Sequence, residues 1–231
     1  MTTKPALNQD GFKRFGQIGG MIVVIGLAMF LSAGRLDWWN GWAYLGLYIA
    51  CIVIGGAWMI RHHPEVINER GRSSQDTKTF DRIIAPFYLL TGLGQFVVAG
   101  LDARFGWSST PLWAQVLGGI GLVLSMTGVY WVMANNPFLA MTVRIQTERG
   151  HQVATRGPYR IVRHPMYAGS LYFFWATALL LGSWWALLLA VGSVIVLLIR
   201  TALEDKTLRA ELPGYADYAQ EVPYRLIPLV W

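Results

Sequence analysis

Chemistry-bearing side chains crowd together at one place in the chain. The stretch RGPYRIVRHPMYAG, residues 156–169, sets three arginines, a histidine, two tyrosines and two prolines directly against a long apolar run. Beyond that run come Arg200, Glu204 and Asp205. Arginine suits a carboxylate, through its planar fork of donors. A glutamate suits an ammonium group or a hydroxyl, and a tyrosine face suits a cation. Simpler roles exist for the same residues. Arg200 and Glu204 stand four apart, the spacing of a helix-surface ion pair, and His164 before Pro165 could cap the start of a helix.

Several chemistries are disfavoured by spacing. His62, His63, His151 and His164 are scattered, Cys51 is the single cysteine, and no HExxH or CxxC pattern occurs. A metal site is therefore not expected. No GxGxxG follows a strand, no GxxxxGK[ST] is present, and GxSxG is absent, so neither nucleotide-fold nor nucleophile-elbow signatures are found. Cys51 lies in an apolar run and reads as an ordinary small side chain.

The elements that must position these residues are membrane helices. Of 231 residues, 54% are hydrophobic and only 14% charged, too apolar for an ordinary soluble domain. Segments 17–34, 39–60, 83–101 and Leu112–Ala134 lack Asp, Glu, Lys and Arg, and each is near the length that spans a bilayer. The run 164–199 would make a helix of roughly 54 Å, against a hydrocarbon core of about 30 Å. It is expected to fold back at Gly182-Ser183, giving short helices over 166–181 and 184–200, with Trp184 and Trp185 at an interface. The fold class is all-α integral membrane with six transmembrane helices, the last two a short hairpin.

Loop charge supports that count. Lys4, Lys13 and Arg14, then the basic residues of 61–82, of 144–163 and of the tail, fall on one side, and only Arg35 and Arg104 on the other. Positive residues favour the cytoplasm, so both termini are expected there, in an inner membrane of bacterial type. The net charge of +6 then reports topology and contact with anionic lipid, with no call for nucleic acid. The start of the chain imitates a signal peptide, but its charge pattern favours a retained span. GGIG and GLG allow close helix approach within one chain as readily as between two, so no oligomeric state follows.

Residues 1–134 form an N-terminal four-helix region, and 135–231 form a second region of loop, hairpin and tail. In the loop, Pro137 ends a helix. Val143, Ile145 and Thr147 before Gly150 suggest a short extended hairpin or an ordered loop, and Gly157-Pro158 a turn. Pro165 is placed to start a helix, and Pro213-Gly214 to end one. IRHHP, residues 60–64, reads as a helix exit stopped by its proline.

GPYRIVRHPMYAG, the fold-back, and LEDKTLRAELPGYADYAQEVPYRLIP together resemble the isoprenylcysteine carboxyl methyltransferase family of integral membrane enzymes, over roughly two-fifths of the chain. Asn136, Gln146, His151 and Val153 match upstream. The resemblance implies S-adenosylmethionine as cofactor, held at the cytoplasmic ends of the last helices by the loop and tail. Carried over by position, Gln146, His151, Val153, Tyr159, His164, Pro165, Tyr167 and Glu204 form its binding shell. Asp205 stands where the family has a second glutamate. Arg163 and Glu204 are the residues assigned to catalysis, with Arg163 orienting an anionic acceptor or the cofactor carboxylate.

The methyl acceptor is left as a lipophilic carboxylate, a phospholipid amine or a small thiol, its apolar part entering from membrane lipid. Two rival classes stand beside this one: an NADPH-dependent sterol-reductase-like enzyme, and a non-enzymatic membrane scaffold.

Overall fold

The protein is described by a computed structural model covering residues 6–72 and 77–231. Lys4 and residues 73–76 of the basic 61–82 loop lie outside this range. The chain forms helices α1 Gln9–Ala33, α2 Trp39–His62, α3 Pro64–Gly71, α4 Thr79–Phe105, α5 Leu112–Ala134, α6 Pro165–Leu181, α7 Trp184–Glu211 and α8 Tyr215–Glu221. No strand occurs among the described residues. Five of these helices are long and apolar enough to cross a membrane, and α6 is a shorter apolar helix of 17 residues.

Local chemistry sets the boundaries. The Asn8 side chain accepts from the Asp10 and Gly11 amides to cap α1. Pro165 starts α6, where its missing N–H costs nothing. Gly182 ends α6 at φ 79°, and Ser183 Oγ then accepts from Ala186 N to open α7. The fold-back is therefore where the glycine and serine place it. The helix exit expected at IRHHP is found, with α2 ending at His62, and Pro64 in addition begins α3.

One expectation is corrected, and one left open is decided. Helix α7 runs to Glu211 instead of ending near residue 200, because TALEDKTLRAE contains no breaker before Pro213. Its last turns therefore carry charged residues past the apolar run. Of the two alternatives for residues 143–150, the structure shows the ordered loop, with a 3-10 turn at Thr147–Arg149.

Packing has the character of a lipid-facing bundle. Large apolar side chains such as Leu31, Ile54, Leu90 and Leu124 are exposed on the outer helix faces. The interior cluster is built from Met29, Tyr44, Phe96, Leu122 and Ala178. Small and polar residues bring helices together, as expected where lipid gives no hydrophobic drive for association. Gln95 Nε2 donates to the carbonyls of Phe174 and Ala186, joining α4 to α6 and α7. Ser125 Oγ donates to Gly169 O across α5 and α6.

Side-chain bonds sort the ends of the helices. At one end, Asn40 Nδ2 donates to Gln115 Oε1 and Leu180 O, while Ser183 and Ser108 hydroxyls donate to Asp102. At the other end gather α3, the starts of α4 and α6, the 135–164 loop, the end of α7 and the tail.

Gly118 marks a close approach of α5 to α6. A Cβ there would lie 2.4 Å from Leu180 N and 2.8 Å from Ala176 O, both backbone atoms that cannot swing away. Gly118→Leu is expected to destabilise the fold by about 1–3 kcal/mol or more. A fall in the thermal unfolding midpoint of the detergent-purified protein checks this, with Gly128→Leu, whose Cβ position is open, as the control.

Candidate functional site

The tail is fastened to the loop through Asp205, which is 1% exposed. One of its oxygens accepts from Arg163 Nε at 2.8 Å and Tyr215 Oη at 2.9 Å, and lies 3.3 Å from His164 Nε2. The other accepts from Arg163 Nη2, Arg209 Nε and Arg225 Nε at 3.1–3.2 Å. Arg163 Nη1 donates to the carbonyls of Val222 and Pro223. Backbone bonds run alongside, from Arg163 N to Tyr224 O and from His164 N to Arg225 O. Tyr218 Oη donates to Tyr159 O. Buried beside this carboxylate, the Tyr215 hydroxyl is held well above its ordinary ionisation range, so it stays a donor.

The loop is clamped from two other sides. Arg144, buried, donates to Glu69 at 2.6 Å and to Glu148 at 2.7 Å. Arg200 donates to both oxygens of Asp81 and to Met141 O, while Asp81 accepts from Val143 N. Arg200 therefore pairs with Asp81 on α4, and the surface pair with Glu204 does not form. Nor does the His164 ring cap α6: it turns to Asp205 and Tyr215 and stacks on Tyr167 at 5.9 Å.

These elements enclose a cavity of about 630 Å³, within the usual size range of small-molecule sites. His151, Val153, Tyr159, Arg163, His164, Pro165, Tyr167 and Glu204 all line it. Gln146 does not. It is fully buried behind the wall, where Nε2 donates to Phe138 O and Oε1 accepts from Arg149. It thus braces the loop.

Glu204 accepts from the Tyr167 hydroxyl, and among the described residues no cation lies within ion-pair distance of it. Tyr167 is crossed by the Arg200 guanidinium, 5.2 Å from the ring centroid. Asn136 donates to the Tyr159 hydroxyl at 2.8 Å, and burial pushes that hydroxyl up, keeping it neutral. His151 lies 4.8 Å from Phe138, ring to ring.

The structure also adds residues that spacing alone did not single out. Arg70, half-buried on α3, lines the cavity, as does Asp81. In the sequence Arg70 was one of five basic residues in a loop, with nothing to separate it from the rest. Deeper in, Ile25, Leu89, Leu93, Phe96 and Phe173 line an apolar arm between α1, α4 and α6. Among the described residues no group of three or more His, Cys, Asp or Glu is placed to hold a metal ion.

Fold and site together define a helical membrane protein with an interior cavity, polar at one end of the bundle and apolar within it. Residues 111–212 match the model of the phospholipid methyltransferase family, a match that bears out the motif resemblance to the membrane methyltransferases. Methanethiol S-methyltransferase of Mycobacterium tuberculosis is 36% identical over 130 residues, which cover 52% of this chain and 50% of that protein. The enzyme of the same name from Pseudomonas deceptionensis is 46% identical over 67 residues, 28% of this chain and 24% of that protein. Methanethiol S-methyltransferase 2 of Bradyrhizobium diazoefficiens is 38% identical over 71 residues, 30% and 26%. The chain thus spans between about a quarter and half the length of the curated relatives it matches.

Breaking the Asp205 lock leaves buried cationic and hydroxyl donors unmatched. Asp205→Asn is expected to cost about 3 kcal/mol or more, seen as a lowered unfolding midpoint together with faster proteolysis of the tail.

His151 gives a pH signature. Its Nδ1 accepts from Gln146 N, and burial, with Arg144 and Arg149 nearby, lowers its pKa from 6.5. The folded state thus favours neutral histidine. The stability this contributes is present above about pH 6.5 and is lost as pH falls below it. His151→Gln should flatten the acid limb of the unfolding-midpoint profile.

Proposed function

We propose that this chain is an S-adenosylmethionine-dependent membrane methyltransferase whose acceptor is a small thiol. The observation that carries the reading is Glu204, a carboxylate lining the cavity with a tyrosine hydroxyl as partner and, among the described residues, no cation within ion-pair distance. A carboxylate so placed favours a cationic ligand. The region matched to the methyltransferase family contains the helices that carry Tyr167 and Glu204, and relatives bearing the methanethiol S-methyltransferase name favour the thiol.

When bound, S-adenosylmethionine supplies a methyl group on a sulfonium, open to in-line attack by an acceptor lone pair. Glu204 and Tyr167 would hold its ammonium or ribose end, and His151, Val153 and Tyr159 would line the remainder. Arg163 and His164 act through Asp205: they fix the tail against the loop and so hold the cavity wall in place. This makes Arg163 a positioning residue, since its guanidinium is already committed to Asp205 and two tail carbonyls. The apolar arm would receive the acceptor and exclude water, which leaves a thiolate less solvated and more reactive. The acceptor sulfur gains the methyl group, the donor sulfur keeps the electron pair of the broken bond, and a thiol proton is released before or during attack. A thiolate needs no dedicated base.

We infer also that α6 crosses the membrane as a sixth span, with both termini cytoplasmic and the cavity's polar end at the inner face of a bacterial membrane. At about 1.5 Å per residue its 17 residues reach roughly 26 Å. Its start lies at Asp205's end of the bundle, and its last turn meets Asn40 at the other. Reporter fusions after residues 106 and 225 should give opposite sides.

Glu204→Gln is expected to weaken S-adenosylmethionine binding at least about tenfold without lowering the unfolding midpoint. Calorimetry checks this, and unchanged affinity in the folded variant sinks the assignment. With isotopically labelled methyl donor and methanethiol, the wild-type protein should release labelled dimethyl sulfide. Label appearing in added phospholipid instead would move the acceptor to a lipid amine.

A further inference from the structure

The arginines lining the cavity fall into two kinds. Arg144 is matched by Glu69 and Glu148, Arg163 by Asp205 and Arg200 by Asp81. Arg70 lines the same cavity from the last turn of α3. Among the described residues it has no carboxylate within ion-pair distance and no hydrogen-bond acceptor. A half-buried guanidinium without a partner has lost water and gained nothing for it. Burial first, then the nearby charges of Arg14 and Arg200, push it down to about 10, with the Tyr167 and Tyr159 hydroxyls offsetting only part of that, so it stays cationic at neutral pH.

Glu204 is the complementary case, a cavity-lining carboxylate with no cation within ion-pair distance among the described residues. The two opposite charges share one cavity and do not pair with each other. A ligand that carries both a cation and an anion would answer both at once.

Resting on the methyl-donor reading above, we propose that Arg70 binds the α-carboxylate of S-adenosylmethionine, opposite Glu204 at the cationic groups, so that the cavity recognises the amino-acid end of its ligand. A carboxylate is the better match than an acceptor thiolate for two reasons. Its two oxygens meet the guanidinium fork in parallel. It is also ionised throughout the neutral pH range, whereas a thiol is mostly protonated at pH 7. The acceptor's apolar arm, lined by Leu89, Leu93, Phe96 and Phe173, calls for no such cation.

The test compares S-adenosylmethionine with its decarboxylated analogue, by calorimetry on the full chain in detergent, for wild type, Arg70→Ala and Arg70→Lys. Wild type should prefer the intact ligand about tenfold to a hundredfold, the range of one charge-assisted contact. Arg70→Ala should abolish that preference, weakening the intact ligand while leaving the analogue within about twofold, and Arg70→Lys should restore part of it. An equal loss for both ligands means that Arg70 only supports the fold, and overturns the assignment. So does an unchanged preference, or an effect confined to the KM for thiol. A wild-type protein that binds neither ligand overturns the methyl-donor reading and this assignment with it. Wild-type binding with an unaffected Arg70→Ala removes this assignment alone.

Discussion

Asp205 is the point on which the site depends. Its two oxygens collect Arg163 from the loop, His164 from the start of α6, Tyr215 from α8, Arg209 from its own helix and Arg225 from the tail. The loop, α8 and the tail are irregular or short, and this carboxylate ties them to the long helix α7. A carboxylate that is 1% exposed is tolerated only because its lone-pair positions are filled. The short aspartate reach, one methylene less than glutamate, is enough because the arginines come to it.

Around that lock, charge is divided into two classes. Asp81, Glu69 and Asp205 are each neutralised by arginines from distant segments, and they hold the loop to α3, α4 and α7. Glu204 and Arg70 line the same cavity, and among the described residues neither has an opposite charge within ion-pair distance. The first class fixes geometry. The second leaves a fixed, preorganised field inside a partly water-excluding cavity, which is where electrostatic recognition is strongest.

The bundle below supplies rigidity without a conventional hydrophobic drive. Its outer faces are apolar and its contacts rely on Gly118, Ser125 and Gln95, as expected where association rests on close packing and hydrogen bonds. The turn at Gly182 returns α7 beside α6, so that Glu204 comes back to within hydrogen-bonding reach of Tyr167. That return brings two parts of the chain 37 residues apart into one wall of the cavity.

The helices, the break at Gly182-Ser183 and the polar end of the bundle were legible in the chain, and of the nine side chains singled out there as cofactor-binding or catalytic, eight line the cavity. Runs of uncharged residues, a left-handed glycine and a proline at a helix start act locally, and local signals survive in sequence. What the fold alone decided was which side chains meet. Arg200 looked like a partner for Glu204 one turn on, yet it reaches Asp81 across 119 residues. Glu204 and Asp205 are neighbours, but at 3.6 residues per turn they point about 100° apart, one into the cavity and the other into the tail. Gln146 went behind the wall, and Arg70 came into it. Composition reports that charges are present at this end of the bundle, whereas pairing depends on distances between helices, which only tertiary packing sets.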